Sequence, residues 1–121
     1  MDNLNVVYFS YARRKPVAIA EAPIPYLAYI YGELGDYPKQ LELNENAYEL
    51  SCKVLGEDHP NTLTFLNNLA VAYWNLGEYQ KGLKLNEKVY ELRCKVSGED
   101  HPETVNALNN LNYMREQLDE Q

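Results

Sequence analysis

Apolar residues recur at three- and four-residue spacings along most of the chain. Between residues 61 and 76 this spacing places one set of side chains on a single helix face: Leu63, Leu66, Leu69, Ala70, Tyr73 and Leu76. A short break follows at residues 77–79. Helical spacing then resumes between residues 80 and 96 through Leu83, Leu85, Val89, Leu92 and Val96. The pattern predicts two amphipathic helices joined by a tight turn, which together form a helical hairpin.

The hairpin pattern occurs twice. Residues 27–68 and 69–110 align without a gap, and 26 of the 42 aligned positions are identical. The identities include polar positions of the type found on protein surfaces, such as Asn44 with Asn86 and Cys52 with Cys94. Because packing alone would not preserve such positions, they indicate a recent internal duplication. Repeats of this length stack side by side into an array.

The motif GEDHP joins one hairpin to the next at residues 56–60 and again at 98–102. Its glycine follows the last periodic residue of a helix, where a left-handed conformation is favoured. Its proline stands where a new helix begins, so that its missing N–H costs nothing. The residues between them offer side chains that can cap the new helix: Asp58, His59, Asp100 and His101. We interpret the motif as a structural junction.

The same motif is a poor metal site. Structural zinc needs four ligands, and equivalent residues of adjacent repeats are expected to lie about 8–10 Å apart. That separation also argues against a disulfide between Cys52 and Cys94, which needs Cα atoms within about 7 Å. We therefore expect no metal, no cofactor and two reduced, partly buried thiols.

Composition excludes several function classes. The chain has 121 residues, enough for one globular unit, and a formal net charge of -7. Nucleic acids and anionic membranes need a basic footprint, whereas the basic residues cluster only at 13–15. No apolar run approaches the roughly 20 residues that span a bilayer, and no signal-peptide pattern is present. These observations predict a cytoplasmic protein without nucleic-acid or membrane partners.

Motifs that mark enzymes are also missing from the sequence. We find no phosphate-binding glycine loop, no GxSxG nucleophile turn and no HExxH zinc pair. The carboxylates are scattered along the predicted helices as solvated faces. We expect a chain that is not an enzyme.

The ends depart from the repeat. Residues 6–11 are β-branched and aromatic, which is typical of a strand, although the repeat register places the tail of a preceding helix there. This segment could cover the open face of the first repeat or pair with another chain. Pro23 and Pro25 predict that the first helix is short and begins near Pro25. At the other end Asn112 and Arg115 replace Ala70 and Tyr73, and polar outer positions are typical of a capping helix.

The run NNLAVAYWNLGEYQKGLKLNEKVYEL, with the GEDHPET that follows, resembles the tetratricopeptide repeat of the long, 42-residue kinesin-light-chain type. Leu69, Ala70 and Tyr73 match the first helix of that repeat, and Gly77 and Tyr79 match its turn. The resemblance implies an all-α fold, a right-handed superhelical array of antiparallel helix hairpins. It would contain about two and a half repeats after an irregular or strand-like N-terminal segment.

The resemblance also implies boundaries and a departure from the family pattern. The expected units are an irregular N-terminal segment at 1–23, a first repeat at 24–58, a second repeat at 59–100, and a partial third repeat or capping helix at 101–121. Where the second helix packs on the first, the family has a small residue. This chain has Gln40 and Gly82 there. Glycine costs up to about 1 kcal/mol in a helix interior, whereas Gln40 needs a polar outlet, so we expect the first repeat to be packed more loosely than the second.

In such arrays the first helices line a concave groove that takes a peptide. The resemblance carries the groove positions over to three groups of residues: Tyr29 and Glu33; Asn67, Asn68, Val71, Trp74 and Asn75; and Asn109, Asn110, Tyr113 and Glu116. An asparagine amide can bond to a peptide backbone whatever the side chains are, and aromatic residues are enriched at binding hot spots. The alternatives are that the asparagines cap or bridge helices and that Trp74 is buried.

Charge narrows the expected partner. The basic clamp with which the family holds a terminal carboxylate is absent, and Glu33 and Glu116 are acidic, so a neutral or basic peptide is favoured over an acidic one. Two functions stay open: a peptide- or protein-binding adaptor, and a self-assembling element whose open repeat ends form a homo-oligomer. Three repeats are the usual minimum for independent stability. Because this chain would have about two and a half, self-association remains an alternative.

Overall fold

A computed structural model describes the backbone of residues 24–119 and the side chains of residues 27–119. In that range the chain forms five helices and no strand: α1 (Ile24–Glu33), α2 (Tyr37–Leu55), α3 (Pro60–Asn75), α4 (Tyr79–Ser97) and α5 (Pro102–Asp119). Each helix packs on the one that follows it. The expected all-α architecture is confirmed for the described part of the chain, whereas the strand-like run at 6–11 lies outside it.

The junctions between hairpins have the predicted form. Gly56 and Gly98 end α2 and α4 with φ of 94° and 88°, in the left-handed region that favours glycine. His59 Nδ1 accepts a hydrogen bond from the backbone N–H of Asn61 at 3.1 Å, and His101 repeats this bond before α5. The histidines of GEDHP therefore cap the helices. Asp58 instead accepts a bond from Lys95 Nζ at 3.5 Å.

The centre of the core joins three helices. Leu66 of α3, Val89 of α4 and Ala107 of α5 are buried against one another, with Tyr48 of α2 packed at their edge. On the predicted face of α3, the leucines at 63, 66 and 69 and Ala70 are all buried. The amphipathic pattern is thus confirmed, and burial of this apolar face stabilises the fold.

The two hairpins differ at the position where the second helix packs most closely on the first. A Cβ at Gly82 would lie 2.9 Å from the Ala70 carbonyl oxygen, so α4 approaches the backbone of α3 closely. Gln40, at the same position in α2, extends to Gly32, where a Cβ would overlap the Gln40 amide nitrogen. The missing side chain of Gly32 makes room for Gln40. As predicted, α1 is short, with ten residues that begin next to Pro25.

Several polar residues are buried between the hairpins. Asn44 and Asn86 are 3% and 0% exposed, so their assignment to the surface was wrong. The Ser51 and Thr62 hydroxyls hydrogen-bond at 2.6 Å between α2 and α3. Cys52 and Cys94 are free, half-buried thiols, as expected. Asparagines at these two positions are preserved inside the structure, and the sequence pattern alone did not distinguish them from solvated ones.

The two ends of the helical stack differ in polarity. Leu50 and Val54 of α2 are exposed, whereas their counterparts 42 residues later, Leu92 and Val96, are better covered. Val54 is 71% exposed against 41% for Val96. At the other end the exposed residues of α5 include Asn112, Arg115 and Glu116. Among the described residues, the exposed surface of α2 therefore includes an apolar strip, whereas that of α5 is mostly polar. None of the described helices could span a membrane.

Candidate peptide groove

The sequence-predicted groove residues lie on alternate helices, the first of each pair. Tyr29 and Glu33 belong to α1 and the cluster from Asn67 to Asn75 belongs to α3, while Asn109, Asn110, Tyr113 and Glu116 belong to α5. Three hollows on the surface of the described chain gather most of them. We call these the Asn44 hollow, the Trp74 hollow and the Arg93 hollow, after one lining residue of each.

The Asn44 hollow lies where α1, α2 and α3 meet and has a volume of about 270 Å³. It is lined by Ala28, Tyr29, Gln40, Asn44, Asn68 and Val71. Tyr29 is largely exposed, while Asn44 is buried and donates from Nδ2 to the Asn68 carbonyl oxygen at 3.5 Å. The hollow therefore combines an exposed aromatic wall with one buried carboxamide, Asn44, and two half-buried ones, Gln40 and Asn68.

The Trp74 hollow lies between α3 and α5 and has a volume of about 340 Å³. It is lined by Val71, Trp74, Asn75, Asn110, Tyr113 and Met114. Trp74 is half-buried, and its ring meets that of Tyr79 edge-on with the centroids 4.6 Å apart. The Trp74 side chain is therefore partly packed and also lines the hollow, and its contact with a peptide stays a prediction. Val71 is shared with the Asn44 hollow, so the two are adjacent.

The Arg93 hollow is smaller, at about 160 Å³, and more polar. Its lining includes Thr64, Asn67, Arg93, Glu103 and Asn110. The nearly buried guanidinium of Arg93 donates to a Glu103 carboxylate oxygen at 2.9 Å and to the Thr64 hydroxyl oxygen at 3.2 Å. The bonds tie α4 to both neighbouring helices. This hollow is consequently built around an ion pair that the protein itself satisfies.

Not every predicted groove residue reaches these hollows. Glu33, Asn109 and Glu116 are exposed and line none of the three. Asn75 does bridge helices, since its Nδ2 donates to Gln40 Oε1 at 3.3 Å. The alternative interpretation of the asparagines is therefore correct at this position.

Sequence reasoning missed lining residues that come from the second helices and from α5. They include Gln40, Asn44, Arg93, Glu103 and Met114. Gln40 and Asn44 are one helical turn apart and therefore share a face of α2. The family has a small residue where this chain has Gln40. That substitution and the spacing of Gln40 and Asn44 were the features of the sequence that could have predicted a polar site here.

Three tyrosines outside the hollows have raised pKa values. Burial, followed by a hydrogen bond with Cys52, raises the pKa of Tyr48 to about 12. The Tyr73 hydroxyl donates to a Glu45 carboxylate oxygen at 2.9 Å, and this bond is the main reason that the pKa of Tyr73 is raised. A bond with Cys94 raises the pKa of Tyr90. In all three the neutral phenol is favoured, but only the Tyr73–Glu45 bond joins two helices, α3 and α2.

Comparisons with known proteins agree with this geometry. The tetratricopeptide repeat family model matches residues 19–95 and 63–118. Two crystal structures of TPR-like repeats from a Podosopora anserina protein assigned as a kinesin light chain have a similar fold, one of them a variant of the other. Each is 26% identical with a TM-score of 0.73; they cover 78% and 83% of this chain. The matched regions are 45% and 50% of those chains, so this chain spans about half their length. No curated protein matches the chain.

Proposed function

Because the chain belongs to the tetratricopeptide repeat family, whose members generally act as protein-interaction scaffolds, we propose that it is a peptide- or protein-binding adaptor. Its recognition surface is the concave side formed by α1, α3 and α5. The observation that supports this most directly is the pair of adjacent hollows that share Val71 and are lined by residues of all three helices.

The chemistry of these hollows suits a peptide. Tyr29 and Tyr113 are 61% and 56% exposed, so they offer rigid amphipathic area to a ligand without being needed in the core. Asn68 and Asn110 supply amides that can donate to and accept from a peptide backbone. A bound extended segment would satisfy its backbone groups on the asparagines and bury its apolar side chains on the tyrosines.

Charge favours a neutral or basic ligand. Glu33 and Glu116 are exposed on α1 and α5, the two outer helices of the groove, and the whole chain carries a net charge of -7. An acidic peptide would be repelled at long range, whereas a basic one would associate faster. The preference should weaken as salt is raised, because these carboxylates are exposed.

Selection from a random linear peptide library displayed on phage tests the proposal. Peptides enriched on the parent chain are measured against a groove variant, Tyr29→Ala with Tyr113→Ala. The matched control is Leu50→Ala with Val54→Ala, which removes two exposed apolar side chains that line none of the hollows. We expect the groove variant to bind at least tenfold more weakly, equivalent to about 1.4 kcal/mol, and the control to bind like the parent. Equal binding by all three proteins, or no enrichment on a folded parent, would refute the adaptor.

The apolar surface of α2 favours a second candidate function, self-assembly. Leu50 and Val54 form an exposed apolar strip on α2, whereas Asn112 and Arg115 are exposed on α5. Stacking end to end would bury these polar groups of α5, at a cost unless they find partners. Pairing of two α2 faces avoids that burial and gives a closed symmetric dimer.

Light scattering distinguishes this dimer from a monomeric adaptor. We expect twice the monomer mass at high micromolar concentration, reduced to the monomer mass by Val54→Glu. A mass that stays monomeric over the whole concentration range would exclude self-assembly. The segment 4–12, which could instead cover the first repeat, lies outside the described residues.

A further inference from the structure

The Asn44 hollow differs from its counterpart in the next repeat by the two carboxamides of α2. Gln40 and Asn44 both line it. Their counterparts 42 residues later are Gly82 and Asn86, and neither lines the Trp74 hollow. Val71, Asn110 and Tyr113 of the Trp74 hollow do correspond to Tyr29, Asn68 and Val71 of the Asn44 hollow. The two sites therefore share a backbone plan and differ in their side-chain chemistry.

Two substitutions explain the difference. In the second hairpin Met114 reaches Asn86, whose Nδ2 lies 3.3 Å from the sulfur, whereas the corresponding residue near Asn44 is the short Ala72. Gly82 carries no side chain and lets α4 approach α3, whereas Gln40 extends an amide. The Asn86 side chain is thus packed against Met114 and lines none of the three hollows, although its Oδ1 is also buried without a hydrogen-bond partner among the described residues. Asn44 and Gln40, in contrast, both line the Asn44 hollow.

The orientation of both amides follows from their partners. The Asn68 carbonyl oxygen can only accept, so the Asn44 group that faces it at 3.5 Å is Nδ2. Asn44 Oδ1 is then turned away, and it is buried without a hydrogen-bond partner in the described part of the protein. Asn75 Nδ2 donates to Gln40 Oε1 at 3.3 Å, which leaves Gln40 Nε2 as a donor. Two residues that line the hollow therefore carry one acceptor and one donor, Asn44 Oδ1 and Gln40 Nε2, and the Gln40 amide lies against Gly32.

We propose that the Asn44 hollow is a specificity subsite for an asparagine or glutamine side chain of the bound peptide. The amide N–H of the ligand donates to Asn44 Oδ1, and its carbonyl oxygen accepts from Gln40 Nε2. A carboxylate would place a second acceptor against Asn44 Oδ1, which is unfavourable. An ammonium group would place a second donor against Gln40 Nε2, which is also unfavourable. An apolar side chain would leave Asn44 Oδ1 and Gln40 Nε2 without partners. A site with unpaired buried polar groups strongly rejects a ligand that has the right size but lacks the hydrogen-bonding groups.

Binding at this subsite requires a side-chain movement. Asn44 Oδ1 is covered in the chain without ligand, and the neighbouring lining residues that are not buried include the half-buried Gln40 and the exposed Tyr29. Rotamer changes of this size are common when interfaces form. The Gln40 side chain lies against Gly32, which has no side chain to lock it in place.

The inference rests on the proposed peptide groove, and its test separates the two. Peptides enriched on the parent are synthesised with a fluorescent label, and each asparagine or glutamine is replaced in turn by leucine, glutamate and lysine. Fluorescence anisotropy on the full chain gives the dissociation constants. At one recurring position we expect each replacement to weaken binding about tenfold.

A switch of preference provides the decisive variant. Gln40→Glu keeps the size of the side chain and the acceptor for Asn75 but replaces the donor by an anionic acceptor. We expect it to lose about tenfold for the carboxamide peptide and to prefer the lysine peptide. Gln80→Glu makes the same change at an exposed position of α4 that lines none of the hollows, and it should keep the parent's ranking.

The outcomes are distinguishable. Enriched peptides that depend on Tyr29 and Tyr113 but share no carboxamide position would overturn the subsite and leave the groove intact. An unchanged ranking with Gln40→Glu would also overturn the subsite. Failure to enrich any peptide on a folded parent would overturn both proposals.

Discussion

The ion pair between Arg93 and Glu103 should couple the second hairpin to α5 measurably. The Arg93 side chain is 6% exposed and the Glu103 side chain 52%, with 2.9 Å between Nη1 and Oε2. A hydrogen bond to a charged group contributes about 1.5–3 kcal/mol when buried, and an exposed ion pair about 0–1 kcal/mol. Because only one partner is buried, we expect a coupling free energy of about 1–2 kcal/mol.

A double-mutant cycle measures this coupling without the separate effect of Glu103 on the N-terminus of α5. The variants are Arg93→Met, Glu103→Gln and the double substitution, unfolded in urea and followed by circular dichroism. The control cycle uses Lys95→Met and Asp58→Asn, whose side chains are 70% and 55% exposed and lie 3.5 Å apart. We expect less than about 0.5 kcal/mol there. A coupling for Arg93 and Glu103 no larger than in the control would refute the argument from burial.

Two further predictions concern stability. Leu66→Ala removes a side chain that is 1% exposed at the centre of the core, and it should lower the free energy of unfolding by about 2–5 kcal/mol. Urea unfolding should show a lower midpoint and an unchanged slope. A loss under about 1 kcal/mol would contradict the burial of this side chain. Burial raises the pKa of Tyr48 to about 12 from its ordinary 10.0, so its contribution is complete below about pH 10. It is lost as the pH rises from about 10 to about 12, because the unfolded chain ionises first. Urea unfolding across this window should show a smaller loss for Tyr48→Phe than for the parent, and equal losses would exclude the shift.

The sequence predicted those parts of the fold that depend on residues close together in the chain. The face of α3 that contains Leu63 and Leu66 is set by spacing alone, and it is buried as predicted. The junctions follow equally local rules, since a positive φ needs Gly56 and the following helix needs a cap within two residues. His59 meets that need directly. Repetition of the pattern then implied stacking of similar units.

The interior polar residues could not be predicted in the same way. Asn44 is polar and lies on a helix, and a solvated position was the natural interpretation. Its burial depends on Asn68, which lies 24 positions further along the chain and on another helix. Arg93 likewise owes its environment to Thr64 and Glu103 on two different helices. Single-sequence patterns carry no information on such contacts between elements.

Part of the candidate groove could be predicted from the sequence and part could not. The repeat register assigned its residues to α1, α3 and α5, and positions such as Tyr29, Val71 and Tyr113 do line hollows. The register could not predict which hollows would remain open, because this depends on the second helices. Gln40 and Asn44 complete the Asn44 hollow from α2.

Repeats that share 26 of 42 aligned residues can thus carry unlike sites. Two differences between residues 27–68 and 69–110 alter the concave side directly, Gln40 against Gly82 and Tyr29 against Val71, and one repeat further on Met114 stands at the position of Ala72. Each pair exchanges a long side chain for a short one at a point where helices meet. Because packed interiors transmit such volume changes to their neighbours, one exchange decides whether a buried asparagine faces a hollow or a methionine sulfur. Exchange of these residues between the repeats, as in Ala72→Met, should therefore close the Asn44 hollow and abolish carboxamide selection while the helices keep their arrangement.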